Sequence, residues 1–207
     1  MQLIDLSTLR FLYSRETFSF PAKNSSSYLF LILLFLTGLT PSSVVALGFN
    51  LETIQNDLEN QYGNISHIDG NNFSKLNHEK TIVFDVREQN EFDVSHLSQA
   101  IQVDPGISTH SFINSYKEQV AGKDVVFYCS VGQRSSVLAS RLKSVLIEQG
   151  ATKVYNLKGG IFRWRNEKKE LIQDKKPTPL IHPYNPLWGL LIDDKKAIRF
   201  QPENNSK

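Results

Sequence analysis

The sequence predicts an α/β fold built on a parallel sheet with helices covering both faces. Two observations carry this. Short, wholly apolar runs such as Ile82-Val83-Phe84 and Val125-Val126-Phe127-Tyr128 end abruptly on polar residues, the pattern of strands buried on both sides. These runs alternate with stretches whose apolar residues recur at helical spacing, as βαβ units require. The 207 residues are 40% hydrophobic and 21% charged, enough chain and apolar content for one ordinary domain with appendages.

The elements follow in order. Residues 51–61 place Leu51, Ile54 and Leu58 on one helical side, and Gly63-Asn64 ends the segment. Ile82 to Phe84 forms a strand with Asp85-Val86-Arg87 at its carboxyl end, and Ala100 to Val103 is a weaker strand. Ser108 to Val120 is a helix carrying Phe112, Ile113 and Tyr116, stopped by Gly122. Val125 to Tyr128 is the clearest strand and runs straight into Cys129. After a loop of small residues, Ser135 to Gln149 shows the stripe Val137, Leu138, Leu142, Val145 and Leu146, closed by Gly150. Val154 to Leu157 is a further strand, followed by Gly159-Gly160 and a short helix over 161–167 with Phe162 and Trp164.

Beyond Asp174 the prolines Pro177, Pro179, Pro183 and Pro186 forbid a long helix. An extended tail is expected, with Tyr184 and Trp188 clamped onto the domain. At the other end, no charge occurs between Lys23 and Glu52, and Tyr28 to Leu39 reads YLFLILLFLTGL. That run is shorter than the ~20 residues that span a bilayer and suits the core of an export signal. Residues 1–48 are therefore expected to be an export signal, with a mature start near Leu47 or Phe49 in a periplasmic or other extracytoplasmic compartment. An uncleaved membrane anchor through residues 28–39, or a buried helix, is the alternative. The domain itself is expected at 49–172 and a Pro/aromatic tail at 173–207.

Several function classes fall away. Lys and Arg total 23 against 21 Asp and Glu, too even a balance to bind nucleic acid by charge. The single cysteine excludes a disulfide framework and a Cys-x-x-Cys redox pair. No metal and no cofactor is expected, because His67, His78, His110 and His182 lack partners at ligand spacing. Lys158-Gly159-Gly160 lacks the glycine spacing of a phosphate loop.

The chemistry gathers at Cys129. It follows a strand and precedes a helix, the edge at which parallel sheets bind ligands. In Cys129-Ser130-Val131-Gly132-Gln133-Arg134-Ser135, Gly132 is free to take a positive φ, so successive N–H groups can turn inward as an anion nest. The helix dipole and the charge of Arg134 add to that positive field, and all three favour thiolate, the form that attacks. A cysteine phosphatase would need one more residue between Cys129 and Arg134, and carries histidine where this chain has Tyr128.

Val125 to Ser136, VVFYCSVGQRSS, resembles the active-site segment of the rhodanese family. Asp85-Val86-Arg87-Glu88, Glu91-Phe92, His96-Leu97 and Ala100-Ile101 are similar to that family's first signature, and VYNLKGGIFRW at 154–164 to its last. The resemblance implies a three-layer fold with a five-stranded parallel sheet. It also implies a sulfurtransferase that takes a sulfane sulfur from a small donor anion such as thiosulfate, or from a persulfide. Cys129 would hold that sulfur as a persulfide and pass it to a thiol or cyanide-like acceptor. Ser130, Val131, Gly132, Gln133, Arg134 and Ser135 are the expected substrate-binding loop. Asp85 and Arg87 either line the same pocket or pair with neighbours, and Glu91 looks like a structural partner for an arginine. Ser130 and Val131 are neutral where members that favour thiosulfate often carry basic residues. The family's turn G-H-I-x-G-A reads Ser95 to Ala100 here, with Ser95 and Gln99 in place of the glycines, so a positive φ at either position would be strained. The alternative function is a non-catalytic interaction module that binds an anionic or thiol-bearing partner.

Overall fold

The backbone of β4, Asp124–Tyr128, runs through the centre of the domain with its side chains alternating between two apolar layers. The computed structural model describes residues 50–203, so the expected signal or anchor over residues 1–48 lies outside the described residues. Helix α1 spans Leu51–Gln61, β1 Ser66–Ile68 and the short α2 Gly70–Phe73. Then come β2 at Thr81–Asp85, α3 at Gln89–Val94, β3 at Ile101–Gln102 and α4 at Thr109–Val120. After β4 follow α5, Gln133–Glu148, β5, Lys153–Leu157, and α6, Gly160–Asn166. The five strands pair in parallel in the order β1-β5-β4-β2-β3, giving the α/β fold with a five-stranded parallel sheet flanked by helices.

Alternation along the strands sorts the core into two layers. Val125 and Phe127 join Phe84, Phe112, Leu138, Leu142 and Leu146 under α4 and α5. Val126 and Tyr128 face the other way, onto Leu157, Ile161 and Phe162 of the α6 side. Phe84 sits at the centre of the first layer, edge-on to Phe112 at 4.9 Å and stacked on Phe127 at 5.4 Å between ring centres. Among the described residues no helix is long and apolar enough to cross a membrane.

The C-terminal segment departs from the sequence prediction of an extended tail. Strands β6, Leu171–Gln173, and β7, Lys176–Thr178, form an antiparallel hairpin across Asp174 and Lys175, whose φ values are 50° and 64°. Two successive positive φ values suit the right-handed twist of a two-residue hairpin. The expected boundary at 172/173 therefore falls inside a strand. Past the hairpin the chain folds back, and Ile181, Leu191, Ile192 and Ala197 are buried in the same layer as Val126 and Leu157. Proline ruled out a long helix here but did not keep these apolar side chains from the core, where each buried aliphatic residue contributes about 1.5–3 kcal/mol.

Of the two substituted turn positions, one needs a positive φ. Ser95 is extended at φ −173°, which any residue adopts. Gln99 stands at φ 60° inside the turn closed by Ala100 N–H donating to the Leu97 carbonyl at 3.1 Å. A left-handed non-glycine residue costs about 1–2 kcal/mol, while glycine adds about 0.5–1 kcal/mol of unfolded-chain entropy. Gln99→Gly should therefore raise the urea midpoint by an amount equivalent to about 0.5–1 kcal/mol; an unchanged or lower midpoint would show that the turn carries no strain.

Candidate active site

Cys129 follows β4 at the carboxyl edge of the sheet, and Gly132 at φ 101° turns the chain into α5. The sequence reading of a positive φ at Gly132 agrees with this. A side chain there would be strained at that φ and would also crowd Asn156 Nδ2 at 3.2 Å. Helix α5 begins at Gln133, two residues earlier than predicted, which puts Gln133, Arg134 and Ser135 in its first turn.

Helix α6 orients the loop from behind. Its amides at Ile161 and Phe162 donate to the carbonyls of Cys129 and Ser130 at 2.9 and 3.0 Å. In a planar trans peptide the N–H points opposite to the C=O, so the N–H groups of Ser130 and Val131 face away from α6. The N–H of Gly132 donates to the Cys129 sulfur at 3.3 Å. This close docking of α6 depends on Gly160, where a Cβ would lie 2.2 Å from the Cys129 carbonyl oxygen. The sequence excluded Gly159-Gly160 as a phosphate loop and placed the pair in the segment that resembles the family's last signature, without assigning it this packing role.

Arg134 is held edge-on by Glu91 of α3. Its Nη1 and Nη2 donate to Glu91 Oε2 and Oε1 at 2.7 and 3.0 Å, and Nη2 also donates to Ser130 Oγ at 2.9 Å. Ser130 Oγ in turn donates to Glu91 Oε1 at 3.0 Å, and the Glu88 N–H reaches Glu91 Oε2 at 3.1 Å. Burial alone would push the Glu91 carboxyl up, but its hydrogen bonds and charge attraction to Arg134 hold it below the usual carboxylate range. Burial likewise opposes the Arg134 charge, and Glu91 overcomes it, so the guanidinium stays protonated well above its ordinary range. The arginine for which the sequence offered Glu91 as a structural partner is Arg134, and Glu91 balances its charge beside the cysteine.

The other predicted site residues have definite partners of their own. Asp85 and Arg87 are fully buried and bonded to each other, with Nη2 of Arg87 at 2.6 Å from Asp85 Oδ2 and 2.7 Å from the Ser95 carbonyl. Their charges are spent on one another and on the Ser95 turn, so of the two readings the pairing one describes them. The Ser135 hydroxyl points to β5 and donates to Asn156 Oδ1 at 2.6 Å, and the Val131 side chain packs in the α6 layer. Only the backbone of Val131 faces the loop's business side. Gln133 is half-buried at the start of α5. Two residues were not assigned to the site from the sequence. Asn156 links Ser135 to His67 Nδ1 at 3.3 Å, and as a polar residue inside an apolar strand run it was visible in principle. Tyr184, expected to clamp onto the domain, lies against Arg134, 4.8 Å from Cζ to the ring centre, and no local pattern names that partner.

Comparisons with known proteins place these features in context. A family profile described as the rhodanese-like domain matches residues 71–167. The tRNA uridine(34) hydroxylase of Chlamydia felis is 31% identical over 152 residues, covering 66% of this chain and 42% of its own length. The chain thus spans about two fifths of that relative. The uncharacterized protein YqhL of Bacillus subtilis is 31% identical over 96 residues, covering 46% of this chain and 69% of its own. Among solved structures, a thiosulfate sulfurtransferase of Pseudomonas aeruginosa is 14% identical at a TM-score of 0.45, over 59% of this chain and 23% of that one.

The Glu91–Arg134 pair makes stability depend on acid. A carboxyl whose folded pKa is depressed contributes stability that is complete above its unfolded value, near 4.5, and is lost as pH falls through the lower folded value. Wild-type unfolding free energy should therefore drop below about pH 4.5, and Glu91→Gln should remove part of that slope. Glu91→Ala, which leaves the buried guanidinium unpaired, should cost about 3–5 kcal/mol in urea denaturation at pH 7. Identical acid slopes in wild type and Glu91→Gln would show that the pair is not coupled to folding.

Proposed function

The chain belongs to the rhodanese-like family, and from that premise we propose that it is a sulfurtransferase that carries a sulfane sulfur on Cys129. The observation that supports this most is the N–H of Gly132 on the Cys129 sulfur, in a loop whose carbonyls α6 holds on the far side. A cradle of that kind stabilises negative charge on sulfur without a proton donor, as both thiolate and persulfide require.

The Cys129 thiolate attacks the sulfane sulfur of the donor. With thiosulfate, the S–S bond of the donor breaks, sulfite leaves with its electron pair, and Cys129 becomes a persulfide anion. An acceptor thiolate or cyanide then attacks the outer sulfur, and the Cys129 thiolate departs with the electron pair of the broken bond. The protein is neither oxidised nor reduced over the cycle, so no cofactor enters. The N–H cradle bears the charge in every state, and Ser130, locked by Glu91 and Arg134, keeps the loop in register.

The name of the hydroxylase relatives supplies a second reading, in which this domain serves tRNA modification. Their 31% identity favours it. The formal net charge of +2 offers no excess of cations to grip a nucleic-acid backbone, so the sulfurtransferase reading is preferred.

Incubation with thiosulfate or polysulfide should add about 32 Da to the protein at Cys129, reversibly with dithiothreitol, as mass spectrometry will read. Cys129→Ser should neither load nor turn over. A wild-type protein that stays at its unmodified mass with both donors would contradict the proposal and favour the interaction module.

A further inference from the structure

Five non-glycine residues among those described hold a positive φ: Gln99, Lys168, Asp174, Lys175 and Tyr184. Four lie where a turn or helix end asks for it: Gln99 in its turn, Asp174 and Lys175 in the hairpin, and Lys168 just past α6. Tyr184, at φ 65°, is the one aromatic of the set, and a bulky residue in that region is costly. Its surroundings hold it there. Ile181 bonds to the Ala197 carbonyl through its N–H and accepts from Arg199 N–H, at 2.9 and 3.0 Å, so the strap is fixed just before Tyr184. The Tyr184 N–H donates to His182 Nδ1 at 3.0 Å. His182 is only 4% exposed and meets the Phe200 ring edge-on at 5.6 Å. Burial lowers the His182 pKa, which keeps the imidazole neutral and able to accept that N–H.

The strained backbone brings the Tyr184 ring to Arg134, whose Cζ lies over the ring, 4.8 Å from its centre. The edges of that guanidinium are already committed to Glu91 and Ser130, which set its position in the plane. The ring beneath its Cζ adds a cation–π restraint that those hydrogen bonds do not supply. The geometry points to Tyr184 as a positioning residue of the cysteine loop, contributed by the C-terminal strap and acting through Arg134 and Ser130 on how the loop receives an anion. The sulfur-loading part of its test rests on the sulfurtransferase reading; the alkylation part does not.

The test uses the full chain with Tyr184→Phe, Tyr184→Leu and Tyr184→Gly. Glycine removes the ring and relieves the positive φ, so its melting temperature should equal or exceed that of wild type. The first readout is the ratio of Cys129 alkylation rates with anionic iodoacetate and neutral iodoacetamide, which reports how the loop receives an anion whatever the thiol's reactivity. That ratio should fall about fivefold in the Leu and Gly variants and stay within about twofold in Phe, matching the size of a partly exposed cation–π contact. The second readout is persulfide loading by thiosulfate, where KM should rise by the same factor with kcat within about twofold in the variants lacking the ring. An unchanged ratio in a folded Leu or Gly variant would overturn the inference, as would a fall in Phe equal to that in Leu. A wild type that fails to load while the ratio still falls without the ring would sink the sulfurtransferase reading and leave the positioning role standing.

Discussion

Glu91 and Arg134 lie 43 residues apart in sequence and meet at 2.7 Å, and the cysteine loop depends on that meeting. Removing two charges from water costs several kcal/mol each, a cost offset only when geometry is good and the remaining hydrogen-bonding sites are filled. Both conditions hold, since Glu91 accepts from Arg134, Ser130 and the Glu88 N–H. Because α3 supplies the carboxylate and α5 the guanidinium, the pair ties the first turn of one helix to the first turn of the other. Ser130 is caught between them, so the loop's first peptide after the cysteine has little freedom. Clamped from the other side by α6, the loop holds its N–H groups in place before any anion arrives, and pre-organised donors need no reorganisation at the moment of reaction.

This arrangement changes where positive potential comes from. With the charge of Arg134 balanced by Glu91, the loop's attraction for an anion rests on oriented N–H groups and the N-terminus of α5, whose aligned peptides act as roughly half a positive charge. Cys129 is 1% exposed among apolar neighbours, a setting in which such partial charges act over short distances with little screening. On the sulfurtransferase proposal, such a site calls for a slender donor that can reach a buried sulfur. Asp85 and Arg87 contribute at one remove: their buried pair holds the Ser95 carbonyl, and the next residue, His96, pairs with Ile172 of the C-terminal hairpin.

Much of this was legible in the sequence because its determinants are local. The apolar runs of β2, β4 and β5 and the stripe of α5 are uninterrupted, and the whole cysteine loop fits within Cys129 to Ser135. Other elements are too short for periodicity to show. Strand β1 has three residues and α3 six, and the hairpin turn uses Asp174-Lys175 rather than the Asn-Gly that signals such a turn. Strand β3 shrank to Ile101–Gln102 for the same reason. At the site, the sequence left open what tertiary packing decides: it offered Glu91 as a partner for an arginine without saying which, it left Asp85 and Arg87 between pocket and pairing, and Tyr184 reaches Arg134 only because the chain folds back after the hairpin.

In the proposed mechanism, backbone N–H groups of the loop, rather than a charged side chain, carry the negative charge on the Cys129 sulfur. Amide proton shifts measure that directly, because an N–H that strengthens its hydrogen bond to an anion moves downfield. In uniformly labelled protein titrated with thiosulfate until Cys129 is loaded, the amides of Ser130, Val131 and Gly132 should move downfield by more than those of β2, β4 or β5. Loading with those three amides unmoved, or with the change confined to the guanidinium protons of Arg134, would contradict it.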